Sequence, residues 1–125
     1  MDNGSGRFRG IYLEENDQAV PFFEAWKKPL ESLGFNTLSP RKTGSTDHVT
    51  FNRLGLPAFQ FIQDDLEYNR TYHTVMDTYE RLSLDDLKVD AVIAAWIALN
   101  AAMDDARIPV RPGYPENIPA PTARR

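Results

Sequence analysis

The 125-residue sequence contains no cysteine, which excludes disulfide bonds and thiolate metal sites. Histidine occurs only twice, so any imidazole chemistry must use His48 or His73. No apolar run reaches about 18–20 residues without a charge, which predicts that no segment spans a membrane. The first residues have neither the basic nor the apolar stretch of a secretory signal. These absences leave the cellular compartment open.

Clusters of basic residues are also missing. The formal net charge is −4, and lysine and arginine are scattered along the chain. This distribution argues against nucleic acid or an anionic membrane surface as the partner. Apolar residues make up 42% of the sequence, which is ordinary for a globular protein and excludes disorder for most of the chain. The length predicts one domain or a part of a larger one.

The N-terminal third shows a turn, a strand and a helix. The glycine-containing residues 1–6 predict a tight turn, and residues 7–13 alternate as a strand does. Residues 16–33 carry one apolar stripe at helical spacing, with Asn16 or Asp17 as the N-cap. Pro29 inside this pattern predicts a kink or break near Trp26. Residues 36–39 then form a short strand.

The remaining elements alternate in the same way. Residues 48–54 predict a short helix, and residues 57–62 predict a strand with apolar side chains on both faces, as in the interior of a sheet. A connection of roughly twenty residues follows, of a length that is more often functional than idle. Ser83 begins a helix that is apolar around most of its circumference. Such a helix is expected either to be largely buried or to pack on something that should accompany the chain. The pattern predicts an α/β fold.

From residue 107 onward the composition changes. Five prolines fall within a short stretch that ends in Arg124-Arg125, and no periodicity survives. We interpret residues 107–125 as an extended, mobile, proline-rich tail without a core of its own. A polyproline ligand for another domain is an alternative.

His73 is the first candidate for a functional residue. It lies in a polar loop that follows the strand ending near Ile62, and loops at the carboxyl ends of strands are common ligand sites in α/β sheets. Neutral imidazole is a common zinc ligand, and Asp77, four positions on, could hold its second ring nitrogen. A structural histidine without chemistry is the alternative.

Several short strings together resemble one family, the co-catalytic di-zinc aminopeptidases of peptidase family M28, which are related to glutamate carboxypeptidase-like enzymes. The strings, in family order and at suitable spacings between about residues 2 and 105, are Gly44-Ser45-Thr46-Asp47-His48-Val49-Thr50-Phe51, Gly55-Leu56-Pro57-Ala58-Phe59, Tyr72-His73-Thr74 and Asp77-Thr78. The resemblance implies the C-terminal portion of a zinc-peptidase fold, a partial three-layer αβα sandwich with a mixed sheet and covering helices.

The resemblance also implies site residues. Members of the family bind two zinc ions through histidine and carboxylate ligands and hydrolyse N-terminal peptide bonds. His73 matches the last histidine ligand, and Asp2 in Asp2-Asn3-Gly4 resembles the aspartate that binds the other ion. Tyr72 matches a tyrosine that supports the tetrahedral intermediate, a catalytic role. The remaining matches, predicted to line the substrate pocket or support it from behind, are Asp47, His48, Phe51 and Asp77.

Two parts of the family pattern are absent. No His-x-Asp pair precedes the matched region, and the one Glu-Glu pair, Glu14-Glu15, follows Asp2 instead of preceding it. We interpret Glu14 and Glu15 as solvated loop residues. The expectation is that the chain is the C-terminal part of a zinc metallo-aminopeptidase with at most a partial zinc site. Such a chain is expected to be inactive alone, to act on peptides only with the missing N-terminal half, and to self-associate through uncovered apolar faces.

Two other interpretations stay open. The same fold could serve without metal as an interaction or dimerisation module. Alternatively, the chain could be a small self-contained α/β domain in which His48 and His73 are ordinary polar residues.

Overall fold

A short strand, β1 (Phe8–Tyr12), forms the centre of the sheet in the computed structural model, which describes residues 3–114. β2 (Thr37–Ser39) pairs with β1 in parallel, and β3 (Gln60–Gln63) pairs with it in antiparallel orientation. Only glycine fits at position 10, because a Cβ atom there would lie 1.8 Å from the carbonyl oxygen of Thr37. The mixed sheet, with helices packed on it, confirms the α/β class.

The position of β3 differs from the expectation. Apolar residues on both faces predict an interior strand, but among residues 3–114 β3 borders β1 alone. It is an edge strand of this part of the sheet because no other described strand reaches its second edge.

The segment after β1 breaks where the sequence predicts. A 3₁₀ turn (Asp17–Ala19) leads into α1 (Val20–Lys27), and a second 3₁₀ helix (Lys28–Leu33) follows at Pro29. Proline has no N–H to donate, so the regular helix ends before it. Gly34 then takes the left-handed conformation, with φ of 85°, and ends the helical segment.

The hydrophobic core lies between β1, α1 and the last helix, α4 (Leu84–Met103). The aromatic rings of Phe8 and Phe61 stack with centroids 4.1 Å apart, and the Trp96 indole donates a hydrogen bond of 2.8 Å to the Trp26 carbonyl, joining α4 to α1. Complete burial of a large apolar side chain contributes about 1.5–3 kcal/mol to the stability of the fold. The buried apolar residues are Phe8, Ile11, Leu13, Ala19, Phe23, Trp26, Leu30, Phe35, Ile93 and Ile97.

The remaining helices are shorter. α2 (His48–Arg53) follows the loop after β2, and the long connection after β3 holds α3 (Tyr68–Thr71) and a 3₁₀ turn (Tyr79–Arg81). α4 begins as predicted, since the Ser83 hydroxyl accepts a hydrogen bond from the Asp86 N–H at 3.3 Å. None of the helices in the described part of the chain is long and apolar enough to cross a membrane.

Burial of α4 is confined to one side, so the expectation of a largely buried helix is wrong for the described residues. Asp90, Ile93 and Ile97 are buried and Val89 and Ala94 pack partly against the core, whereas Val92 and Leu99 are each 56% exposed. The alternative, that this helix packs on something that should accompany the chain, stays a prediction.

One buried residue of α4, Asp90, has an ionisable side chain. The Asp90 carboxylate accepts a hydrogen bond of 2.7 Å from the N–H of Phe8, the first residue of β1. Pairing of β1 with β2 begins only at Gly10. The second oxygen of the Asp90 carboxylate is buried without a partner among the described residues. Burial raises the pKa of the Asp90 carboxyl above its ordinary value, and the hydrogen bond from Phe8 opposes this shift.

Candidate functional site

The N-terminal turn is tied to the chain that leaves β3. The Gly6 N–H donates to the Asp64 carbonyl at 2.9 Å, and the Asp64 N–H donates to the Arg7 carbonyl at 3.0 Å. The Asp64 carboxylate also pairs with Arg9 at 2.6 Å. A Cβ atom on Gly4 would lie 2.5 Å from the Asp64 carbonyl oxygen, so glycine permits this close approach. The turn beside Asp2 is thereby held against the start of the loop that carries His73.

These two segments meet at one cavity of about 320 Å³, which we call the His73 cavity. Gly4 and Ser5 form one wall, and the other wall comes from a part of the chain more than sixty residues later. The structure therefore brings Tyr72, His73 and Asp77 together next to the N-terminal turn. The lining residues are Gly4, Ser5, Tyr68, Thr71, Tyr72, His73, Asp77, Arg81 and Leu82.

Three aromatic rings form a stack beside the cavity. The Tyr68 and Tyr72 rings have centroids 4.9 Å apart, and the Tyr72 and His73 rings have centroids 3.9 Å apart, at interplanar angles of 30° and 20°. His73 takes a left-handed conformation with φ of 55°, which costs a non-glycine residue about 1–2 kcal/mol. Stacking of this kind contributes about 0.5–1.5 kcal/mol per pair and offsets part of that strain. The stack thus orients an exposed imidazole.

The described residues do not complete a metal site. No group of three histidine, aspartate or glutamate residues within residues 3–114 is placed to hold a metal ion. Asp77 lines the same cavity as His73, but in this part of the chain no hydrogen bond joins its carboxylate to the imidazole; its N–H donates to the Thr74 carbonyl at 3.2 Å. Asp2 lies outside the described residues. His73 presents an exposed imidazole, and its assignment as a zinc ligand stays a prediction.

The second histidine is in a different environment. His48 is 6% exposed, and its Nε2 lies 3.3 Å from the carboxylate of Glu14, which is 3% exposed. Thr43 donates to the same carboxylate through its N–H and through its hydroxyl, the latter at 2.6 Å. The His48 Nδ1 contacts the Thr46 hydroxyl. This group, which we call the Glu14 cluster, fastens the end of β1 to the loop before α2.

Interpreting Glu14 as solvated is therefore wrong, whereas Glu15 is exposed as expected. Both glutamates have left-handed φ angles, 55° for Glu14 and 59° for Glu15. This backbone turn directs the first side chain inward and the second outward. The partners of the Glu14 carboxylate, Thr43 and His48, are 29 and 34 positions away in the sequence. No local sequence pattern therefore predicts that Glu14 is buried.

Residues 47–51 do not share the His73 cavity. Asp47 precedes α2 and is exposed, Phe51 is 52% exposed on α2, and His48 is enclosed in the Glu14 cluster. Their proposed place at the substrate pocket stays a prediction. The loop before them, however, lines a second cavity.

This second cavity has a volume of about 370 Å³, and we call it the polar cavity. Asn3 lines it, whereas Gly4 and Ser5 line the His73 cavity. Gln60 and Gln63, both 7% exposed, come from β3. Sequence reasoning missed them, although two glutamines in an otherwise apolar strand are a usable signal. The lining residues are Asn3, Tyr12, Arg41, Lys42, Thr43, Gly44, Thr46, Gln60, Gln63 and Asp65.

The first part of the proline-rich tail is in contact with the domain. The Asn16 side chain donates to the Pro109 carbonyl at 2.8 Å, and Arg111 pairs with Glu15 at 3.0 Å and donates to the Glu14 carbonyl at 3.1 Å. Pro109 and Arg111 therefore contact the segment beside the Glu14 cluster, and the interpretation of residues 107–125 as a mobile tail stays a prediction. The rest of the tail, residues 115–125, lies outside the described residues, and the domain boundary after residue 106 stays a prediction.

Comparison with known proteins gives the chain a family context. The sequence model of Peptidase family M28 matches residues 2–98. The chain is 36% identical over 91 residues to Aminopeptidase YwaD of Bacillus subtilis (strain 168), a match that covers 68% of this chain and 20% of that relative. The chain thus spans about a fifth of the length of the curated relative. No solved structure matches it.

Proposed function

The chain belongs to peptidase family M28, and we propose from this premise that it forms the C-terminal part of a zinc-dependent aminopeptidase that hydrolyses N-terminal peptide bonds. The observation that supports the proposal is the His73 cavity. Gly4 and Ser5, next to the predicted ligand Asp2, lie at the same cavity as Tyr72, His73 and Asp77. The turn that follows Asp2 and the loop of His73 therefore border the same cavity, which supports the proposal.

The chain's own residues would do three things there. His73 would supply one ligand to zinc, and Asp2 would supply another, toward the about three protein ligands that a catalytic zinc needs. Tyr72, 46% exposed and stacked between Tyr68 and His73, would present its hydroxyl at the edge of the cavity. Zinc, when bound, supplies Lewis-acid polarisation of the scissile carbonyl. The remaining ligands and the general base belong to the part of the family pattern that this chain lacks.

Activity measurements test the proposal in two arms. The isolated chain with added zinc is expected to release no amino acid from a peptide, since its ligand set is incomplete. The full-length gene product is expected to release N-terminal residues, and His73→Ala should lower its turnover at least about 100-fold by weakening zinc binding. Asn69→Ala, an exposed change in the same loop, is the matched control and should leave turnover unchanged.

Each arm has a contradicting result. Turnover by the isolated chain that His73→Ala abolishes would contradict the partial site. Full-length protein with no peptidase activity in zinc would support the second candidate, a metal-free interaction module. The observation that favours this candidate is the exposed apolar side of α4, where Val92, Leu99 and Met103 are 56%, 56% and 74% exposed.

A further inference from the structure

Gln63, the last residue of β3, has a buried side chain that reaches the N-terminal turn. It is 7% exposed, and its Nε2 donates a hydrogen bond of 2.7 Å to the Gly6 carbonyl, 57 positions earlier in the sequence. The Gly6 N–H donates to the Asp64 carbonyl at 2.9 Å. The peptide units on both sides of Gly6 are therefore bound to two consecutive residues, Gln63 and Asp64, which fixes the point where the turn leads into β1.

The bond from Gln63 lies where the pairing of β1 with β3 is irregular. The register of this antiparallel pair shifts between Phe8 and Gly10, and Gln63 is the partner of Phe8. A shift of this kind disrupts the backbone ladder locally and bends the strand. The Gln63 side chain thus holds the chain before Phe8 at a point where the ladder itself is interrupted.

Two other side-chain contacts between the same segments face solvent. The Ser5 hydroxyl donates to the Asp65 carbonyl at 3.3 Å in an exposed position, and the ion pair of Arg9 with Asp64 joins side chains that are 44% and 35% exposed. Water competes for such contacts, so each of them contributes little. Removal of the buried Gln63 donor should therefore loosen the turn more than loss of either exposed contact.

The turn that Gln63 holds is one wall of the His73 cavity. Gly4 and Ser5 form that wall, and a Cβ atom on Gly4 would lie 3.2 Å from the Gln63 Cβ, so Gln63 packs directly against it. Gln63 does not itself line the His73 cavity. A change of its side chain therefore moves the wall without removing any group that faces the cavity.

We propose that Gln63 is a positioning residue, which holds the N-terminal turn in place as the wall of the His73 cavity. The purpose of this role rests on the proposed function, in which Asp2, four positions before Gly6, is a zinc ligand. Metal ligands must be held within about 0.5 Å of their productive geometry, and residues outside the ligand set provide that support. Gln63 contacts neither zinc nor substrate in this role and acts through the segment that contains Asp2.

Amide hydrogen exchange in the 125-residue chain tests the positioning without zinc and without activity. Gln63→Met keeps the length of the side chain and removes the donor, so the Gly6 amide is expected to exchange about tenfold faster. The rate is compared with that of the Ile93 amide in the core, which separates local release of the turn from global unfolding. Gln63→Glu, which keeps the shape but turns an acceptor toward the Gly6 carbonyl, should give the same acceleration.

Gln60→Met is the matched control for this measurement. Gln60 lies in the same strand and is also 7% exposed, but its side chain accepts a hydrogen bond from Thr46 at 3.4 Å instead of binding the turn. It should leave the Gly6 exchange rate unchanged. Unchanged Gly6 exchange in both Gln63 variants, or equal acceleration by Gln60→Met, would overturn the proposal.

The zinc affinity of the full-length gene product, measured by competition with a chelator, tests what the position serves. Gln63→Met is expected to weaken zinc binding about tenfold, as loss of support outside the ligand set does in metal sites. Gln60→Met should leave zinc affinity unchanged. Asp2→Ala should weaken binding more, and adding Gln63→Met to Asp2→Ala should cause no further loss, because Gln63 acts through the segment that contains Asp2. Fully additive losses would overturn this route of action.

The positioning role and the proposed function can fail separately. A full-length protein that binds no zinc would overturn the proposed function, and the Gly6 exchange rates would still decide whether Gln63 holds the turn. Zinc-dependent peptidase activity together with unchanged zinc affinity in Gln63→Met would retain the proposed function and overturn the positioning role.

Discussion

The two histidines of this protein lie in opposite environments. His48 is buried with the carboxylate of Glu14 and two threonine hydroxyls, in a cluster that joins β1 to the loop before α2. His73 is exposed, has a left-handed backbone, and its ring stacks on the Tyr72 ring. An imidazole whose nitrogens are both in contact with protein groups has a structural role, whereas an exposed and oriented imidazole is available to a ligand. His48 thus stabilises the fold, whereas the imidazole of His73 is accessible to a ligand.

The largest expected effect concerns the buried region. Glu14→Ala should destabilise the protein by about 3 kcal/mol, because the Thr43 N–H, the Thr43 hydroxyl and His48 lose a buried acceptor. Glu15→Ala removes only an exposed ion pair with Arg111 and should cost less than about 1 kcal/mol. Urea unfolding of the two variants measures the difference. Equal losses would mean that the Glu14 cluster does not hold the fold.

A second buried carboxyl, that of Asp90, differs from Glu14 in how completely its oxygens are paired. Asp90, unlike Glu14, has one carboxylate oxygen without a hydrogen-bond partner among residues 3–114, and burial raises the pKa of its carboxyl. A raised pKa means that the folded state holds the proton more tightly than the unfolded state. The tighter proton binding by folded Asp90 therefore adds fully to the free energy of unfolding below the ordinary carboxyl pKa of about 4. This stabilisation is lost as pH rises through the pKa of Asp90 in the folded state.

Asp90→Asn, which cannot ionise, should therefore gain stability relative to the parent as pH rises above about 4. Asp90→Ala should cost about 1–3 kcal/mol at low pH, because the Phe8 N–H loses its acceptor. Unfolding free energies of the parent and both variants between pH 4 and pH 8, a range chosen about the ordinary carboxyl value, provide the measurement. A pH-independent difference between Asp90→Asn and the parent would show that Asp90 keeps an ordinary pKa.

The smallest expected effect concerns the exposed region. Tyr68→Leu removes the outer ring of the stack and should change stability by no more than about 1 kcal/mol. It should nevertheless move the His73 ring protons toward their unstructured chemical shifts, since Tyr72 loses the ring that holds it. Tyr68→Phe keeps the ring and should retain the His73 shifts. If both variants leave the His73 signals in place, the stack does not orient the imidazole.

Local signals in the sequence predicted the elements well. Pro29 marks the end of α1, Gly34 ends the helical segment in the left-handed conformation, and Ser83 caps α4. Each of these features depends on one residue and its immediate neighbours, so the sequence contains the whole cause. The resemblance to di-zinc aminopeptidases, drawn from short strings, agrees with the family match over residues 2–98.

Features that depend on distant partners were not predicted. Asn16 was expected to cap a helix, but its side chain makes no cap hydrogen bond and donates to the carbonyl of Pro109, 93 positions away. Glu14 was expected in solvent and is buried against Thr43. The polar cavity joins Asn3 to two glutamines of β3, and nothing in the sequence between them signals that these distant segments meet.

Periodicity and helix-end residues in the sequence predicted the α/β class and several helix ends, and the resemblance of short strings to a known family implied His73 as a site residue. Folding alone settled which histidine is enclosed and which is accessible, and that the N-terminal turn reaches the loop of His73. The physical reason is that burial is a property of the whole set of neighbours around a side chain. Those neighbours come from segments whose separation along the chain gives no sign of their contact in space.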